Sequence, residues 1–106
     1  VNIDNEPSKS GFHADDLVPI ALQIAQLPNL RLRGLMAIPR ADNSFQEQQA
    51  AFQRLAELRQ QINQSLDNSE KLDTLSMGMS GDLEAAISQG STMVRVGTDI
   101  FGKREQ

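Results

Sequence analysis

Apolar residues three and four positions apart, the spacing of one helix face, recur in three separate stretches of this 106-residue chain, with short apolar runs between them. Leu17, Ile20, Ile24 and Leu27 form the first stripe. Pro19 would break an interior turn, but Asp16 as N-cap puts it in the first turn, where its missing N–H costs nothing. Pro28-Asn29 ends the helix. Ser44 followed by Glu47 is a capping box. It opens the longest helix, whose stripe is Phe45, Phe52, Leu55, Ile62 and Leu66, with Ala51 and Leu58 beside it. Leu83, Ala86 and Ile87 mark a short third helix, and Gly90 fits its C′ position.

The intervening runs read as strands. Val1 to Ile3 is a strand end, and Asp4 to Gly11 (DNEPSKSG) is a loop dense in turn formers. Leu30 to Ile38 becomes continuously apolar in its second half, as a strand buried on both faces does, and Pro39 stops it. Leu72 to Met77 and Ser91 to Val96 are two more strands, and a final helix begins over Asp99 to Arg104. Strand followed by helix, three times over, then a fourth strand and a helical start, predicts parallel strands joined by right-handed crossovers. The fold class is therefore α/β, and four such units are half of a (β/α)8 TIM-type barrel. An isolated half would leave two strand edges unpaired. The expected partner is a missing half-barrel or a second copy of the chain at those edges. The apolar opening Val1-Asn2-Ile3 reads as a chain entered in mid-strand, as a fragment would be.

Composition narrows the function. A formal charge of −4, with four Phe and neither Tyr nor Trp, speaks against nucleic-acid binding, which needs basic and stacking surfaces. Without cysteine there is no disulfide and no thiolate metal site, and with His13 alone a His-rich metal site is excluded. No apolar run is long enough for a membrane span, so the expected setting is cytoplasmic with no membrane partner.

The candidate chemistry lies between Leu75 and Gly102. Two turns there, each where a strand gives way to a helix, carry a hydroxyl beside glycine: Ser80-Gly81 and Gly97-Thr98. Set side by side they would aim backbone N–H groups and two hydroxyls at one point, which describes a phosphate cup. From spacing alone, helix capping is the better explanation of these residues. Arg95, between Val94 and Val96, points opposite to both valines. With the valines against helices, the arginine faces the barrel mouth, where a charge needs a partner.

Three blocks resemble a known family in order and spacing: Val1-Asn2 with Glu6 to Gly11; Leu32 to Pro39 (LRGLMAIP); and Thr74 to Arg104 (TLSMGMSGDLEAAISQGSTMVRVGTDIFGKR). They resemble the pyridoxal phosphate homeostasis proteins (YggS/PROSC type), relatives of the alanine racemase barrel. The resemblance implies strands 5–8 of a (β/α)8 barrel, so that residues 1–106 are the C-terminal half of one barrel domain. It also implies pyridoxal 5′-phosphate (PLP) at the carboxyl ends of the strands. Ser80, Gly97 and Thr98 match the family's phosphate contacts, and Arg95 its contact to the pyridine nitrogen. The Schiff-base lysine lies in the family's other half, outside this chain. The implied function is PLP homeostasis, a non-catalytic supply of cofactor with apo-PLP enzymes as recipients. The alternative is part of a fold-type III PLP enzyme, racemase-like or decarboxylase-like.

Four further residues have weaker claims on the cofactor. Gly81 shares the Ser80 turn. Lys9 sits near the expected cofactor mouth, although a loop lysine is ordinarily a solvated charge. Asn2 ends a strand, and Met77 has core filling as its simpler reading. Asp82 and Glu84 complement a helix dipole and are expected to face away. His13 is expected to be exposed, and Lys71 and Lys103 to lie on the surface.

Overall fold

In a computed structural model, residues 1–102 are described. Four helices alternate with three strands: α1 (Ala14–Ala25), β1 (Gly34–Met36), α2 (Phe45–Asn63), β2 (Thr74–Met79), α3 (Leu83–Ser88), β3 (Met93–Arg95) and α4 (Thr98–Phe101). The strands are parallel and ordered β1-β2-β3. The α/β class and the parallel sheet agree with the sequence pattern. The expected four-stranded half-barrel is corrected to three strands among the described residues.

The difference lies at Val1 to Ile3. This segment makes only one isolated parallel bridge, Asn2 with His13, and the Asn2 amide donates to the Phe12 carbonyl at 2.9 Å. The Val1 ammonium reaches the Met36 carbonyl at 2.7 Å, so the segment lies beside β1 without laddering to it. The run over 30–38 also shrinks to Gly34–Met36. Beyond Ala37 the backbone is bonded by side chains of the 4–11 loop, Lys9 at the Ile38 and Pro39 carbonyls and Asp4 at the Arg40 amide. The last strand is shorter than expected for its apolar run, and Lys103 and Arg104 lie outside the described residues.

The helix ends test the capping arguments. At α2, Ser44 Oγ accepts from the Glu47 amide at 3.2 Å and Glu47 Oε1 accepts from the Ser44 amide at 2.9 Å, completing the capping box. This reciprocal bond holds the Glu47 carboxyl below the usual carboxylate range. At α1 the expectation fails. The cap is His13, not Asp16, and Pro19 stands inside the helix. The helix starts early because residue 13 is already fixed by the bridge to Asn2 and by its ring against Asn5 Oδ1 at 3.0 Å. Pro19 is exposed.

The core is a single layer between the sheet and its helices. Leu35, Leu75 and Met77 pack with Phe52, Leu55 and Ile62 of α2 and with Ala85 and Ala86 of α3. Phe45, expected in the α2 stripe, is instead 51% exposed at the first position of the helix. Strand alternation puts Met36, Ser76 and Met93 on the opposite face, in register with one another. Met36 and Met93 are about half exposed there.

Two glycines make this sheet possible. A methyl group at Gly34 would lie 1.8 Å from the Thr74 carbonyl oxygen, so only glycine lets β1 approach β2 this closely. Gly78 has φ +106°, and a methyl there would lie 2.7 Å from Ala86 Cβ and 3.2 Å from Val94 Cγ1. It sits in the irregularity between Ser76 and Met79, where β2 is out of step with β3. At the other end of the sheet Arg33 grips Asp73 through Nε and Nη2 at 3.1 and 2.8 Å. Those bonds, with one from the Thr74 hydroxyl, pull the Asp73 carboxyl down to about 2.

Candidate functional site

The carboxyl ends of the strands gather the candidate residues. After β2 the chain turns through Ser80–Asp82, and after β3 through Val96-Gly97, before α3 and α4 begin. The turns are joined directly: Ser80 Oγ accepts from the Asp99 amide at 3.2 Å. An accepting hydroxyl keeps its own proton free to donate elsewhere. The N–H groups of Gly81 and Gly97 have no acceptor among the described residues, and a methyl at either glycine would meet nothing within 4 Å. The Ser80–Asp99 contact sets the Ser80-Gly81 turn beside the start of α4, where Thr98 is exposed at the first helical position.

The first turn is shaped by Asp82, whose Oδ1 accepts from the Met79 amide at 2.7 Å while its own amide donates to the Met79 carbonyl at 3.1 Å. That carboxylate is folded back onto its own turn. A cleft of about 280 Å³ opens alongside, lined by Phe45, Gln48, Ser80, Gly81, Glu84 and Asp99 among others. Phe45, Gln48 and Asp99 were not legible as site residues. Only the tertiary meeting of three helix starts puts them there.

Arg95 ends β3 opposite Met79. Val94 lies against Gly78 and close to Ala86, on the helix side, so alternation turns Arg95 to the other face. Its Nε and Nη2 are buried and have no hydrogen-bond partner among the described residues. A guanidinium edge left unpaired out of water is costly, and native proteins supply such donors with an acceptor.

The weaker candidates have other engagements. Lys9 Nζ pairs with Glu6 Oε2 at 2.6 Å and donates to the carbonyls of Ile38 at 2.9 Å and Pro39 at 3.2 Å. Asn2 is buried, and its side-chain amide exchanges bonds with the Glu6 backbone: Nδ2 to the carbonyl at 2.9 Å and Oδ1 from the amide at 3.0 Å. Met77 is fully buried in the core. His13 is exposed, as is Lys71, and Lys103 lies outside the described residues. No group of His, Asp and Glu able to hold a metal ion occurs among the described residues. None of their helices is long and apolar enough to cross a membrane.

A parallel α/β sheet with its candidate site in the turns beyond the strands' carboxyl ends defines a familiar class, in which ligands bind at that edge. Within that class, residues 1–105 match the family model for the alanine racemase N-terminal domain, and the chain belongs to that family. This corrects the designation as a C-terminal half, because the matching model is that of the N-terminal domain of alanine racemase. The chain is 53% identical over 105 residues to the pyridoxal phosphate homeostasis protein of Vibrio cholerae, and 55% identical to that of Pseudomonas aeruginosa. Each match covers 99% of this chain and 43% of the relative, so the chain spans less than half their length. Among solved structures, a protein of Bifidobacterium adolescentis superposes with a TM-score of 0.87 at 40% identity, over 95% of this chain and 40% of that one. PipY of Synechococcus elongatus, solved with PLP bound, superposes with a TM-score of 0.72 at 38% identity, over 90% of this chain and 44% of PipY.

Proposed function

We propose that this chain forms part of a PLP-binding (β/α)8 barrel whose work is PLP homeostasis: it holds the cofactor and gives it up to other proteins, without substrate turnover. The observation that carries this reading is the Ser80–Asp99 hydrogen bond, which sets the two hydroxyl- and glycine-bearing turns against each other. The relatives named for PLP homeostasis and the PLP-bound PipY support the same cofactor.

The residues present fit two ends of PLP. Gly81 and Gly97, with open space where a Cβ would stand, would let a phosphate approach, with the Ser80 and Thr98 hydroxyls and nearby N–H groups as donors. The unpaired edge of Arg95 fits an acceptor such as a pyridine nitrogen. When bound, PLP supplies a reactive aldehyde and an electron-withdrawing ring. Arg95 bears on how far that chemistry goes. A guanidinium remains protonated at any working pH, so Arg95 would donate a hydrogen bond to the ring nitrogen without handing over its proton. An unprotonated ring is the weaker electron sink, which suits a carrier better than a catalyst. Lys9 is committed elsewhere, paired with the Glu6 carboxylate and donating to the carbonyls of Ile38 and Pro39.

The alternative of a racemase-like catalyst is separated by one pair of measurements on the PLP-loaded protein. The carrier reading expects activity to appear in an apo-PLP enzyme mixed with it, and no exchange of the α-proton of alanine in deuterated water. Fast exchange without cofactor transfer would make the protein an enzyme.

A further inference from the structure

An aspartate just before a helix ordinarily caps it, its carboxylate accepting from amides of the first turn. Asp82 stands at that position before α3, yet its side chain makes no cap hydrogen bond. Its Oδ1 accepts instead from the Met79 amide at 2.7 Å, while the Asp82 amide donates to the Met79 carbonyl at 3.1 Å. The two bonds close the Ser80-Gly81 turn and engage both backbone groups of Met79.

Met79 is where the two ends of the candidate site meet. Next to it in the chain is Ser80, whose Oγ accepts from the Asp99 amide at 3.2 Å. Opposite it in the sheet is Arg95, whose Nε and Nη2 are buried and unpaired. Regular pairing is interrupted just before this point, since the register of β2 against β3 slips between Ser76 and Met79, and Gly78 has φ +106°. Asp82 supplies a second hold on Met79 where the ladder is irregular.

We propose that Asp82 is a positioning residue for PLP: by fixing Met79 it sets the spacing between the Ser80 hydroxyl and the Arg95 guanidinium. It acts through those two residues and not by contact with the cofactor. The role rests on the PLP reading of the site, but its effect on the backbone is measurable without ligand.

Three variants separate geometry from charge. Asp82→Asn keeps an acceptor oxygen at the same reach, Asp82→Glu keeps the charge but displaces it by a methylene, and Asp82→Ala removes both. In the ligand-free chain, Asp82→Ala and Asp82→Glu speed hydrogen exchange at the Met79 and Asp99 amides about tenfold, as loss of a charge-assisted hydrogen bond does. Asp82→Asn leaves both close to the parent. Unchanged exchange at the Phe52 and Leu55 amides verifies the fold. In NMR titrations Asp82→Ala loses more affinity for PLP than for inorganic phosphate, because only PLP spans both ends, and Asp82→Asn restores both. If Asp82→Ala does not fold, Asp82→Glu compared with Asp82→Asn decides. Unchanged Asp99 exchange in Asp82→Ala and Asp82→Glu overturns the positioning role, and equal losses for PLP and phosphate overturn the spacing. A parent chain that binds phosphate but no PLP overturns the PLP reading, and the spacing role with it, even where Asp99 exchange responds as expected.

Discussion

The hydroxyl of Ser80 accepts a hydrogen bond from the amide of Asp99 at 3.2 Å, across 19 residues of sequence. That bond ties the turn after β2 to the start of α4 and gives the candidate phosphate cup its shape. Ser80→Ala should therefore act twice. Hydrogen exchange at the Asp99 amide should accelerate, and phosphate affinity should fall by about tenfold, the equivalent of one hydrogen bond to a charged group. Ser80→Thr should restore most of both, since it keeps the hydroxyl.

Arg95 should display a conflict between stability and binding. With Nε and Nη2 buried and unpaired, Arg95→Met exchanges an unsatisfied polar edge for an apolar chain of related length. The expected result in urea denaturation is a ligand-free protein as stable as the parent, or more so by about 1 kcal/mol. The same variant should lose measurable PLP binding. A large loss of stability would mean that Arg95 serves the fold.

Gly34→Ala should be among the most damaging single changes in the chain. The added methyl would stand 1.8 Å from the Thr74 carbonyl oxygen, and backbone on both sides must move. A cost of about 3 kcal/mol or more is expected, at the upper end for overpacking. Gly81→Ala, which meets nothing within 4 Å, should leave stability nearly unchanged and serve as the control.

The Arg33–Asp73 pair predicts an acid limb in stability. Asp73 ionises near 2 in the folded protein, below its ordinary 3.8, chiefly through the hydrogen bonds from Arg33. A carboxyl depressed by folding contributes its full stabilisation above the ordinary value and loses it as pH falls through about 2. The pair is well exposed, so salt should weaken it. In a carboxyl-carbon NMR titration the Asp73 midpoint should sit near 2, and Arg33→Met should return it towards 3.8.

Local rules were readable wherever a short stretch decides its own structure. Ser44 and Glu47 satisfy each other's backbone, so the start of α2 followed from four residues. Gly90 and the apolar stripe of Phe52, Leu55 and Ile62 were legible for the same reason. The cap of α1 was misplaced because His13 is fixed by Asn2 and Asn5, which no helix rule consults. Val1 to Ile3 looked like a strand by composition, yet its hydrogen bonds go to Phe12 and Met36. The candidate site was legible as residue types and not as an arrangement. Ser80, Gly97 and Thr98 stood out as hydroxyls and glycines before helices, but spacing could not show that the turns touch. Position placed Lys9 and Asn2 near the candidate site, and it could not show that their side chains fasten the loop that carries Lys9.

The two turns and Arg95 are proposed to hold opposite ends of one PLP molecule. The direct measurement is a titration of the chain with PLP, following the amides of Gly81, Gly97 and Thr98 together with the Nε–H of Arg95 by NMR. Weak binding is expected from a partial barrel, on the order of 1 mM, or about −4 kcal/mol. All four signals should shift on one saturable curve, and inorganic phosphate should move the three amides but not Arg95. If Arg95 stays fixed while PLP shifts the amides, or if none of the four moves, the two features do not belong to one cofactor site.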